Sequence, residues 1–248
     1  MNAHQIADDL RRKILSGGLA HGERLPSARD LAQRYEVSHQ TVTNAITRLA
    51  AIGMLRVGSG KQGTVVVAPP GADAYLGAFG PYDLTKGVAW KPTRGGGETR
   101  TLSVSTIPAP DWAVEYGLSG DIVRRTRVRT VDGVPAQYKA TLMPYEIAAR
   151  NPEGHTGVPP MLSPTEATSI DPPAGVSMSD WLGWGVERTE TVITAEPMAA
   201  NEAEILGLAE GTPGFRVVGA ARDAESATVY VTLTVAPLHH RVTLDIQH

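Results

Sequence analysis

Residues 25–67 read LPSARDLAQRYEVSHQTVTNAITRLAAIGMLRVGSGKQGTVVV, and this stretch decides the fold. Ser27 is a good N-cap, and Asp30 stands three residues later, where it can reach back to the cap backbone; this is a capping box with Asp in place of Glu. The first helix then runs from Ala28 to about Tyr35. Glu36-Val37-Ser38 makes the turn, and Ser38 caps a second helix from about His39 to Ile52. Val42, Ala45, Ile46, Leu49 and Ile52 recur at steps of three and four, so one face of that helix is buried. The opposite face carries His39, Gln40, Thr41, Thr43, Asn44, Thr47 and Arg48, with no carboxylate anywhere in the helix. A surface helix ordinarily mixes Glu with Lys. One that leads with amides and hydroxyls suits the floor of a DNA major groove. Gly53 stops the helix. Leu55-Arg56-Val57 and Thr64-Val65-Val66-Val67 then read as two strands around a glycine-rich, basic tip that includes Ser59, Gly60 and Lys61. The pattern is a winged helix-turn-helix whose wing can reach a phosphate backbone or a minor groove.

Working outward, the N-terminal side supplies a scaffold helix from His4 to Ser16, with Ile6, Leu10 and Ile14 on one face and Gly17-Gly18 at its end. Charge is divided unevenly along the chain. The net charge of 248 residues is −3, but residues 1–70 hold 9 Lys+Arg against 5 Asp+Glu, while the rest hold 14 against 21. A basic module on an acidic body fits a DNA reader whose second part stays off DNA. Cysteine is absent, which excludes disulfides, thiolate zinc sites and thiol catalysis. No apolar run reaches 18 residues and the opening is polar, so a soluble cytoplasmic protein with no membrane segment is expected.

Residues 69–98 are rich in Pro and Gly and read as a linker, with a short strand near Val88-Ala89-Trp90. Its Gly95-Gly96-Gly97 lacks the Gly-Lys-Ser/Thr ending and the strand-to-helix setting of a phosphate loop. Beyond it, strands are expected at 101–107, 121–131, 135–143, 186–195, 212–222 and 228–235, with Asp132-Gly133 as a hairpin turn. Short helices are expected at 113–116, 178–185 and 199–208, and a further edge strand at 242–246. Residues 151–179 are loop-rich. Long hairpin-joined strands with few helices indicate an antiparallel α+β sheet domain over 99–248. The division is therefore 1–68 winged helix-turn-helix, 69–98 linker and 99–248 antiparallel-sheet domain, to which the resemblance described below gives effector binding and dimerisation.

The ordered string Leu25-Pro26-Ser27-Ala28-Arg29-Asp30-Leu31-Ala32, Val37-Ser38, Thr41-Val42, Ala45-Ile46, Leu49, Gly53 and the Gly60-to-Thr64 wing resembles the GntR family of bacterial transcriptional regulators. The resemblance implies that Arg29 lies against DNA and that Ser38 and Thr41 contact phosphates. His39 and Thr43 depart from it, because many relatives carry arginine at one or both. Arginine typically reads guanine, whereas Gln40 and Asn44 suit adenine, so a less guanine-directed operator is expected. Removing Lys61 from the wing should weaken binding to all sequences alike.

The run Arg127-Val128-Arg129-Thr130-Val131-Asp132-Gly133-Val134-Pro135, and the Ala199-to-Leu208 helix followed by Gly211-Thr212-Pro213, resemble the effector domain of the HutC subfamily. That domain, called UTRA, has a chorismate-lyase-like fold and a small-molecule pocket. The resemblance puts Arg127 and Arg129 at its ligand, with Lys139 near a position that is glutamate in relatives and Tyr230 as a loose match for a late pocket tyrosine. If the two arginines face a pocket, they imply an anionic effector such as a phosphate or carboxylate. If they face solvent, they are ordinary strand arginines. His239-His240 invites a metal reading, but adjacent strand residues point to opposite faces. No catalytic residue, cofactor or metal is expected.

The sequence thus predicts a homodimeric repressor on double-stranded operator DNA with an inverted repeat, released by a small-molecule effector. The alternatives are a constitutive DNA-binding repressor whose C-terminal domain only dimerises, and a lyase-like enzyme.

Overall fold

The computed structural model describes residues 1–58, 63–68, 72–75, 91–92, 96–164, 170, 172–173 and 176–243. The chain opens with α1 (Ala3–Leu15), α2 (Ala28–Tyr35) and α3 (His39–Ala51), followed by the antiparallel hairpin β1 (Leu55–Val57) and β2 (Thr64–Val66). Asn2 and Gln5 close a reciprocal capping box on α1. Ser27 caps α2 by accepting from the Asp30 amide. The Asp30 carboxylate does not return to the cap backbone as the sequence suggested; it takes the Ser27 hydroxyl at 2.7 Å, which is closer. Ser38 caps α3 through the Thr41 amide. Ile6, Leu10 and Ile14 from α1 meet Leu31, Val42, Ala45, Ile46 and Leu49, and Met54, Leu55 and Val66 close the core beneath the hairpin. Burial of each large aliphatic side chain is worth about 1.5–3 kcal/mol, so this small module has its own apolar support.

The second half is built on six antiparallel strands: β5 (Gly97–Pro108), β6 (Asp121–Val131), β7 (Val134–Pro144), β8 (Arg188–Pro197), β9 (Pro213–Arg222) and β10 (Thr228–Pro237). Their order in the sheet is β5-β6-β7-β10-β9-β8. The turn between β6 and β7 is Asp132-Gly133, both at positive φ, as the hairpin signal requires. Short helices α4 (Asp111–Val114), α5 (Tyr145–Ala148), α6 (Met178–Trp181) and α7 (Ala200–Ile205) complete the domain. One sheet face packs Ile122, Tyr138, Ala140, Leu142, Val218, Val231 and Leu233 against Ala113, Ala203 and Leu206. Adjacent residues of a strand point to opposite faces, so the flanking residues form a second, more polar surface.

Two further findings differ from the sequence reading. The stretch between the halves contains strands β3 (Ala72–Tyr75) and β4 (Lys91–Pro92), whereas the strand expected near Val88-Trp90 lies outside the described residues. The late strand β11 (Arg241–Thr243) does not join the edge of the large sheet. It pairs in parallel with β3, giving a separate sheet of order β11-β3-β4. The partner of a three-residue strand is set by tertiary approach, which local pattern does not encode.

Candidate DNA and effector sites

The exposed face of α3 is assembled by helical spacing. Gln40, Asn44 and Arg48 lie four apart, hence on one stripe, and all three are exposed. Gln40 Nε2 donates to Asn44 Oδ1 at 2.9 Å, so the two amides are held side by side. His39 is exposed and Thr43 half-buried on the neighbouring stripe; the Thr43 hydroxyl donates back to the His39 carbonyl at 3.0 Å. Ser38 and the half-buried Thr41 share a hydroxyl–hydroxyl hydrogen bond of 2.7 Å at the helix start. This leaves the α3 N-terminus, with its positive dipole end, facing outward beside two hydroxyls. Arg29 is exposed in the first turn of α2, and none of the described ion pairs joins it to Asp30 or Glu36. Ser59, Gly60 and Lys61 lie outside the described residues.

The base of the wing adds two cations that the sequence reading left out. Arg24 bridges to Val65 as a third, one-residue strand. With Arg56, Gly58, Gly63 and Val65 it lines an open cleft of about 420 Å³. The charge count contained both arginines, but nothing local places Arg24, forty residues upstream, against the hairpin.

On the large sheet, register settles which face the predicted effector residues share. Arg127 pairs with Lys139 and with Thr101, and Arg129 pairs with Gln137. Lys139 pairs with Thr234, and Thr141 with Thr232. Tyr230 lies two residues from Thr232, so it falls on the same side. All four candidates therefore occupy one face, among threonines. Arg129 is buried, while Arg127, Lys139 and Tyr230 are half-buried. Desolvation, and then Arg127, push the Arg129 guanidinium down to about 9, which leaves it cationic at neutral pH. Desolvation together with Arg129 and Arg127 holds the Lys139 ammonium well below its ordinary range. Burial raises the Tyr230 phenol. Two side-chain donors on or beside this face, Gln137 Nε2 and Trp184 Nε1, are buried without a hydrogen-bond acceptor among the described residues.

The residue missed on this face is Arg125. It is 2 % exposed, and its guanidinium donates to the Pro160 carbonyl at 3.1 Å, to the Ser163 carbonyl and to Thr101 Oγ1 at 2.8 Å. It thereby straps the proline-rich excursion after α5 across one end of the face. Trp184 completes that end by meeting the Tyr230 ring edge-on at 5.5 Å. Trp181 and Trp184 both pack into an apolar cluster with Val123, Met143 and Met161.

His239 and His240 also differ from expectation. They sit in the turn after β10 rather than in a strand, and their rings lie side by side with centroids 4.7 Å apart. Both are 4 % exposed. No group of three or more metal-binding side chains occurs among the described residues.

A winged helix-turn-helix module followed by an antiparallel α+β domain with a buried polar face is the architecture of a DNA-binding regulator. Comparison with known proteins agrees. The family model for bacterial regulatory proteins, gntR family, matches residues 2–66. The HTH-type transcriptional regulator Rv0792c of Mycobacterium tuberculosis is 30% identical over 211 residues, covering 84% of this chain and 72% of that protein. The HTH-type transcriptional repressor NagR of Bacillus subtilis is 24% identical over 213 residues, covering 85% of this chain and 79% of that protein. Among solved structures, PhnF from Mycobacterium smegmatis aligns over 98% of this chain and 99% of its own at 20% identity, with a TM-score of 0.48. The chain belongs to the GntR family and is a DNA-binding regulator of transcription. None of its described helices is long and apolar enough to cross a membrane.

Proposed function

We propose that this regulator is a cytoplasmic repressor of the HutC subfamily, released from its operator by a small anionic effector held on the UTRA-type domain. The chain divides into a reader (1–68), a connecting stretch (69–98) and an effector-binding and dimerising domain (99–248). The operator is an inverted repeat bound by a homodimer. Arg29, Ser38, Thr41 and the wing residues Ser59, Gly60 and Lys61 hold the backbone, joined by Arg24 and Arg56. His39, Gln40, Thr43, Asn44 and Arg48 face the bases. The observation that carries the effector reading is the gathering of Arg127, Arg129 and Lys139 on one sheet face beside the donors of Gln137 and Trp184. Stacked cations and unanswered N–H groups favour a ligand rich in acceptor oxygens, and desolvation strengthens each such contact.

Effector binding then shifts the balance between reader arrangements, and operator DNA must weaken effector binding by the same factor. The test is a thermal-shift screen of phosphorylated sugars, inorganic phosphate and small dicarboxylates on the whole chain. A ligand at a hundredfold excess over its Kd should stabilise the fold by about 2.7 kcal/mol, raising Tm by several degrees. Lys139→Met should lose that shift, and the same ligand should free operator DNA. If operator binding is tight and no anion changes it or Tm, the C-terminal domain only dimerises and the effector reading fails.

A further inference from the structure

The large sheet has two edges, and they are built differently. The β5 edge is interrupted by a register shift between Thr101 and Ser103, a bulge that blunts it for pairing. The β8 edge has no such device. Its ladder with β9 is unbroken for ten pairs, from Arg188↔Arg222 to Pro197↔Pro213. Its side chains are half-buried at Thr189 and Thr191 and otherwise exposed, including Val192 at 39 % and Ile193 at 37 %. An unbulged ten-residue edge strand, half of it β-branched, is a template for another strand.

We propose that this edge is the seam of the homodimer: β8 pairs antiparallel with β8 of a second copy, making one continuous sheet across the two-fold axis. The proposal rests on the homodimer reading above and names its interface. The sequence of the strand selects both partner and register. A two-fold axis perpendicular to the sheet keeps each residue on the same face as its opposite, so opposed positions have the same parity. With Val192 on the axis, Arg188 of each copy stands opposite the second copy's Glu196, Thr191 opposite Ile193, and Val192 opposite itself. This sets two opposite-charge pairs at the ends and β-branched contacts in the middle. Moving the axis by one residue toward the C-terminus opposes Glu190 to Glu196, two like charges. Moving it the other way opposes Glu190 to Val192 and leaves Arg188 facing Thr194. Only the register centred on Val192 pairs both charged ends.

The absence of native cysteine makes the seam directly testable. On the axis, two opposed Cα atoms lie about 4.5–5.5 Å apart, within disulfide reach. Ala195 lies three residues off the axis, so its two copies stand about 20 Å apart along the strands. Light scattering on the wild-type chain should give a dimer. Val192→Cys should then link covalently on mild oxidation or with a short bis-maleimide, whereas Ala195→Cys should not. Val192→Lys, which brings two ammonium groups together, should shift the dimer toward monomer while the protein remains folded by circular dichroism. A wild-type dimer in which Val192→Cys stays unlinked, or Val192→Lys leaves association unchanged, overturns the seam and leaves the homodimer standing. A wild-type monomer at micromolar concentration overturns both.

Discussion

Gln40 donates to Asn44 in one amide–amide hydrogen bond at 2.9 Å. That contact fixes the rotamer of each side chain, so less freedom remains to be lost when a base edge replaces solvent. Adenine offers N7 and the N6 amino group to a single carboxamide, a two-bond match that guanine cannot supply. Gln40→Ala should therefore cost about 1–3 kcal/mol on an operator carrying the preferred adenine, and much less once that base is changed. Competition binding to operators permuted base by base measures this. A loss equal at every permuted position would reduce Gln40 to a backbone contact.

The amide stripe was legible because helical period and capping residues are local signals. The arginines of β6 were legible only in part. Period two places Arg125, Arg127 and Arg129 on a common face, but it does not say whether that face meets water or protein. The answer lies in a proline-rich excursion with no periodic pattern, held down by Arg125 through backbone carbonyls that no side-chain motif announces.

At the scale of elements, Gly53 marks where α3 meets the rest of the chain. Its φ of +73 terminates the helix, a conformation that L side chains adopt at a cost. A Cβ there would stand 2.8 Å from Thr212 Cγ2, on the turn that leads into β9. Gly53 is thus both a helix stop and a point of close approach between reader and effector domain. Gly53→Ala should destabilise by more than about 1 kcal/mol, the usual backbone cost plus the overlap, and lower Tm by several degrees. Thr212→Ser removes the opposing methyl and keeps the hydroxyl that donates to the Ala209 carbonyl. Combined with Gly53→Ala, it should recover part of the loss, the share due to overlap, but not the share due to φ. Equal Tm for the single and double variants would show that the two domains do not press on each other here. The glycine stop was readable in the sequence; its neighbour, about 160 residues away in the chain, was not.

For the molecule as a whole, the same junction contains the paired imidazoles. Burial holds His239 down to about 4; the Ile52 backbone opposes this from outside hydrogen-bonding geometry, and Arg11 of α1 adds to it. Burial and the neighbouring His239 push His240 well below its ordinary value. Both rings are therefore neutral in the folded state at neutral pH, while the unfolded chain takes up protons near pH 6.5. A depressed folded pKa makes the unfolded state the better proton acceptor, so stability is complete above pH 6.5 and falls as pH drops below it. At pH 5.5, His239 alone should cost roughly 1 to 1.5 kcal/mol. Thermal unfolding at pH 7.5 and 5.5 should show a larger fall for wild type than for His239→Leu/His240→Leu. Parallel falls would assign the acid sensitivity to other groups.

The parallel pairing of β3 with β11 also has a consequence for biosynthesis. Strand β3 leaves the ribosome well before its partner, which follows roughly ten to thirty seconds later at ordinary rates of elongation. During that interval the reader, with a core of its own, is free to fold while the strand that pairs with β3 is still being translated. A nascent chain therefore passes through a period in which a finished DNA-facing helix hangs on an untied tether.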